Sequence, residues 1–184
     1  METNNKKYEF TQETKTYKGH TLYRIKSLKD LNGVKTGQLG GWIESENNLL
    51  HDGKCWVSNN AIVCGDAIVA DDAKVSKNAI VEHCAVICEN AWVGGFAKIS
   101  DAACISGNAN VFGNVKIYGS ASVCGDATVL EDVEIYDNAK IYGDALLRDN
   151  AKVHGDAHVF GYAKVCGSAD VFEKIEICGT ETVK

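Results

Sequence analysis

From residue 55 onward the chain repeats one hydrophobic beat. Stepping by six from Val57 through Val63, Val69 and Val75 to Ile177 and Val183 meets 22 positions, and every one is Val, Ile or Leu. Two residues before these, 17 of the 21 positions from Cys55 to Ile175 are Ala, with Val115 and Val133 among the exceptions. The register never slips, so the array carries no insertion between residues 55 and 183. An apolar pair at spacing two predicts a short strand with one face buried. The rest of each hexad, as in Gly113-Asn114, Gly125-Asp126 and Gly143-Asp144, forms turns and tolerates positive φ. Three such strands and three corners close a triangular coil of 18 residues, and 21 hexads predict about seven coils. The coils should stack about 4.8 Å apart, the ordinary interstrand distance.

Residues 1–54 do not keep the beat. "KYEFTQ" and "HTLYRIKSL" predict two strands joined by "ETKTYKG" as a hairpin; "GVKTGQLGG" is glycine-rich turn, and "WIESENNLL" leads into the first coil. An open coil end exposes unpaired backbone and an apolar interior, so this segment is expected to cap the array. Gly37, Gly40 and Gly41 are assigned to turn in preference to a phosphate cradle, because no nucleotide fingerprint surrounds them.

Outward residues stack every 18 positions. One face runs Ile62, Ile80, Lys98, Lys116; a second runs Trp56, Lys74, Trp92, Asn110; the third runs Ile68, Val86, Cys104, Ser122. All three are apolar early and polar later, so the early coils are expected to be covered, either by the cap or by a second subunit. Trp56, Ile62, Ile68, Ile80, Val86 and Trp92 are therefore candidate interface residues of a homo-oligomer, a trimer or a dimer. The residue after each aliphatic also stacks, predicting an aromatic ladder of Tyr118, Tyr136, His154 and Phe172, with Tyr142 over Phe160. Cys64, Cys88, Cys124, Cys166 and Cys178 share that slot as small fillers. No two cysteines stand 18 apart, which predicts free thiols.

The A-x-V-x-G-[ND] hexads resemble the hexapeptide-repeat proteins, which implies a left-handed parallel β-helix; the hand comes from the resemblance and not from the spacing. "HTLYRIKSL…VKTGQLGGWIESENNLLHDGKCWV" is similar to the start of the YdcK-like branch, found in bacterial genomes and prophages. The expected fold is thus all-β, with an N-terminal β cap over residues 1–54 and a single-stranded left-handed β-helix over 55–184. The resemblance also implies an acyltransferase alternative, working as a trimer with a histidine base and a protruding loop between prisms. Fold alone does not carry that function.

Composition narrows the choice. The net charge of −6 argues against binding a nucleic-acid polymer. No apolar run is long enough to span a membrane, and "METNNKKYEF" has no apolar signal core, so the expected setting is a cytosol, that of a bacterial host as the resemblance implies. Eight cysteines in that setting fit reduced thiols. Proline is absent, as expected where every strand is paired on both edges.

Little catalytic chemistry is visible. His154 with His158, and Cys84 with Cys88, have a helical metal spacing, but in extended chain four residues cover about 13 Å, too far for one ion. No metal and no cofactor is expected. His83 with Asp101 one coil above it is the one candidate general base with an orienting carboxylate. No inserted loop and no nucleophile elbow accompanies it. On the cap, Arg24, Lys26, Lys35 and Trp42 are candidate ligands for a small, nucleotide-like anion. The leading expectation is a non-catalytic rigid binding or structural scaffold, phage- or prophage-related as the resemblance implies, with a host protein as a candidate partner. The alternatives are sequestration of a small anionic host molecule and acyl transfer across subunits.

Overall fold

The computed structural model describes residues 6–31 and 33–184. It is an all-β solenoid of parallel stacked coils, a parallel β-helix, with one short 3₁₀ turn at Glu46–Asn48. Strands of two to four residues recur every six positions from Trp56–Val57 to Thr182–Val183 and sort into three walls. Each pairs in parallel with its counterpart one coil on, as in Lys98↔Lys116 and Ile99↔Ile117. Outward residues donate to the next coil's inner position: Ile80 N–H to Ala97 O at 2.9 Å, Lys98 N–H to Val115 O at 2.8 Å.

The two inward columns do different work. The aliphatic positions from Val57 to Val165 fill the axis and are wholly buried. The alanine positions lie where the walls converge, and Ala61 through Ala163 are likewise inaccessible. Every sixth residue from Asn59 to Gly179 has φ near +60°, apart from Gly113 at +110°. This left-handed residue turns each corner, which explains why glycine recurs there. Asp71, Lys77, His83, Glu89, Asp101 and Glu131 adopt the same conformation without being glycine.

The cap departs from the expected hairpin. Strand β1 (Tyr8–Tyr17) runs antiparallel to β2 (His20–Ser27), and the turn between them is only Lys18-Gly19, with φ of 48° and 89°. "ETKTY" is strand and not loop, because Thr and Tyr favour the pleated conformation and a two-residue turn is enough to reverse the chain. A third strand, β3 (Leu39–Ile43), pairs antiparallel with β2 and parallel with Ile62–Val63. Cap and coils therefore share one ten-stranded sheet. Ile43 faces Val63 and Leu49 faces Val69, a slightly wider spacing than the regular coils keep. An additional partial coil thus begins inside the cap, with a little extra chain before Cys55. Another wall holds eight parallel strands.

Gly40 and Gly41 are correspondingly neither turn nor cradle. A Cβ at Gly40 would lie 2.5 Å from Ile25 Cγ1 and 2.7 Å from Trp56 Cζ2. They are glycine so that β3 can press onto the first coil; Gly37, at φ +83°, is the turn glycine.

Asn48 fastens the cap. Wholly buried, its Oδ1 accepts from Glu44 N–H at 3.1 Å and Ser45 N–H at 2.8 Å, and its Nδ2 donates to Gly65 O and Ala67 O, both at 2.9 Å. Asn48→Ala should cost about 2 kcal/mol, since buried backbone groups lose their partners. Limited proteolysis should then cut first within residues 6–50, leaving the later coils intact.

Candidate functional site

His83 and Asp101 meet as expected: His83 Nδ1 lies 3.0 Å from Asp101 Oδ1. Their setting gives the contact a structural meaning. Both occupy the left-handed corner position, one coil apart, and Asp101 N–H also points at His83 Nδ1 at 3.4 Å. The same stitch recurs along the prism. Asp71 accepts from Glu89 N–H, Glu89 from Gly107 N–H, Asp101 from Gly119 N–H, Glu131 from Asp149 N–H, and Asp149 from Gly167 N–H, at 2.6–3.0 Å. A corner N–H has no place in the wall ladders, and an acceptor one coil earlier satisfies it. At the head of the His83 column, Glu44 accepts from Gly65 N–H at 2.7 Å and contacts His20 Nδ1 at 2.9 Å. The His83–Asp101 pair is one link of this ladder, with side chains 60% and 47% exposed.

The stitches carry a pH dependence. Glu44 sits below the usual carboxylate range, chiefly through His20 and then Gly65 N–H; Asp149 is lowered chiefly by Gly167 N–H. A carboxylate held below its unfolded value stabilises the fold above that value and loses the contribution as pH falls through the folded one. These two carboxylates should make thermal melting decline below about pH 4, where unfolded Asp and Glu take up protons. Asp149→Asn should flatten part of that decline, modestly, because the group is solvent-exposed.

Of the four cap residues, the structure brings together Arg24 and Trp42, partners on β2 and β3, with the guanidinium carbon 5.1 Å from the ring centroid. Lys26 instead pairs with Glu9, and Lys35 with Asp30 at 2.9 Å in the following loop. Reading sequence distance alone missed Lys15, whose Nζ stands 4.5 Å from the Trp42 centroid. Lys15 lies on β1, and only the hairpin pairing could have brought it there. Burial, and then the Arg24 charge, lower the Lys15 pKa. Arg24 Nε is buried without a partner among the described residues.

The cap covers part of the early coils. Trp56 is buried at the edge of Tyr8, and Ile62 lies under Leu22, Tyr17 and Trp42. These two are thereby removed from the surface open to a partner. Ile68, Ile80 and Val86 stay half-buried, while Trp92 is 44% exposed. The hairpin tip is pinned by Lys18, whose Nζ reaches Glu82 at 2.8 Å.

The aromatic ladder is present: Tyr118, Tyr136, His154 and Phe172 stack at 4.5–5.6 Å, and Tyr142 lies 4.9 Å from Phe160 with rings 2° apart. All eight cysteines are free thiols. Burial first, and then Cys104, push the Cys88 thiol up to about 11, which keeps it protonated and unreactive. Nor did the repeat pattern point to Lys7, wholly buried with Nζ 2.9 Å from Cys55 Sγ and 3.2 Å from Asp52 O. Among the described residues no His, Cys, Asp or Glu cluster has the form of a metal site, and no helix is long and apolar enough to cross a membrane.

No family model matches the chain. It is similar to a protein of Escherichia coli (strain K12) named "Uncharacterized acetyltransferase YdcK", 37% identical over 65 residues. The match covers 35% of this chain and spans only a fifth (20%) of that relative's length. The local likeness and the stacked parallel coils together fit the hexapeptide-repeat superfamily.

Proposed function

We propose that this protein is a rigid, non-catalytic binding module that works as a homo-oligomer. The observation that supports it best is the corner ladder. The His83–Asp101 contact recurs in kind at corners that have no other chemistry, and its own corner is open to solvent. General acid–base work needs a substrate held over the base and water kept away. Two-residue corners supply neither. The apolar surface left after the cap has folded back, Ile68 and Val86 on one wall, is the surface proposed to join two or three copies. The YdcK-like branch is part of the same proposal and rests on "LGGWIESE" and the local likeness to the Escherichia coli protein.

Two measurements test the reading. Light scattering should give a mass above the 19.8 kDa of one chain, and Val86→Asp should return it to that value. A wild-type monomer at micromolar concentration would refute the oligomer. Calorimetry with acetyl-CoA should show no binding; robust binding lost in His83→Ala would establish the acyltransferase reading instead.

A second reading, capture of a small anion, has its own support on the cap. Arg24 and Lys15 flank one indole, have no carboxylate partner among the described residues, and leave Arg24 Nε unsatisfied. Such a pair can grip the phosphate of a nucleotide. A nucleotide panel should then raise the melting temperature of the wild type and not of Arg24→Gln.

A further inference from the structure

The second wall carries a groove of about 290 Å³ that is separate from both the corner histidine and the Arg24 cluster. Its floor is the in-register column Trp56, Lys74 and Trp92, and Val34 and Gln38 of the cap close one side. The Trp92 ring is held in place. Its Nε1 donates to Ser76 Oγ at 3.1 Å, and Phe112 meets it edge-on at 5.0 Å. An indole fixed in this way and still 44% exposed is a preorganised platform for a flat body.

Several donors around this platform are without an acceptor among the described residues. Gln38 Oε1 accepts from Lys35 N–H at 3.1 Å, and Asn59 Oδ1 from Lys77 N–H at 3.3 Å, and neither NH₂ group has a partner among the described residues. Lys74 Nζ stands 5.8 Å from the Trp92 centroid with no carboxylate partner among the described residues. Trp56, only 4% exposed, forms part of the groove lining beneath them. Three donors, the cationic Lys74 and the Gln38 and Asn59 amides, beside an aromatic platform ask for an oxyanion attached to a flat ring.

We propose that this groove binds a small ring-bearing carboxylate, the ring on Trp92 and the carboxylate on Lys74 and the two amides. The volume suits a ligand of about one ring, at the lower bound for small-molecule sites. The site deepens the reading of the protein as a binding module, but it lies on a different wall from Ile68 and Val86.

The test is calorimetry and tryptophan fluorescence on the full chain with benzoate and glucuronate, against benzamide and glucose as uncharged counterparts. At least one carboxylate should bind saturably, and its neutral counterpart about tenfold or more weakly, as expected for losing a charge-assisted contact. Benzoate or glucuronate alone would identify the ring as aromatic or as sugar. Lys74→Gln should weaken binding about tenfold with unchanged melting, and Trp92→Ala should abolish it. No saturable binding of either carboxylate at millimolar concentration, equal binding of the neutral compounds, or wild-type affinity in Lys74→Gln would each overturn the proposal. Light scattering on the same samples reads the oligomer independently, so failure of this site and failure of the module reading are distinguishable.

Discussion

Replacing Ile117 by alanine should destabilise the central coils by about 2–5 kcal/mol, the usual cost of emptying a wholly buried aliphatic site that cannot collapse. Ile117 is inaccessible and sits between Ile99 and Ile135 in the axial column. The walls on either side are held by backbone ladders, so neighbouring coils cannot move in to fill the void. The same kind of truncation at Val183, which is only half-buried in the last coil, should cost far less. Urea unfolding of Ile117→Ala and Val183→Ala measures the difference. Each coil contacts only its neighbours, so native-state hydrogen exchange should show protection lost around residues 99–135 before the ends. Equal losses for the two variants would contradict this account of the core.

Gly113→Ala is expected to be of comparable severity for a different reason. Gly113 has φ +110°, and a Cβ there would stand 2.5 Å from both the N and the O of Glu131 in the next coil. Those atoms are backbone and belong to the Asn110–Gly113 and Thr128–Glu131 ladder, so relief requires two coils to separate. Left-handed strain of about 1–2 kcal/mol and overpacking of about 1–3 kcal/mol act together. Gly179→Ala separates the two contributions. At φ +61° with nothing within 4 Å, it carries the strain alone and should cost about 1–2 kcal/mol. Thermal melts of the two variants decide the matter, and equal shifts would rule out the coil-to-coil clash.

The repeat was legible because each coil is made by short-range rules. An inward pair at spacing two and a turn at every sixth position leave one way to bury Val57, Val63 and Val69 together. The columns followed from period alone, which is why Tyr118, Tyr136 and His154 were found where the spacing put them. The cap was read less well. Its first strand runs on to Tyr17, and Gly40 and Gly41 belong to a strand, because their roles depend on contact with Ile25 and Trp56. Such close approach leaves no periodic trace.

The sequence by itself determined the β class, the three walls, the register and the free corners of the prism, since all of these follow from a local beat repeated without interruption. Only the tertiary structure decided which early apolar residues are covered. Trp56 and Ile62 go under the hairpin, whereas Trp92 stays open beside Lys74. It also decided that Lys15, and neither Lys26 nor Lys35, joins Arg24 at Trp42. The physical reason is the same in both cases. A coil's neighbours are set by the constant length of the coil, whereas the cap's neighbours are set by how a non-repeating hairpin packs across that lattice.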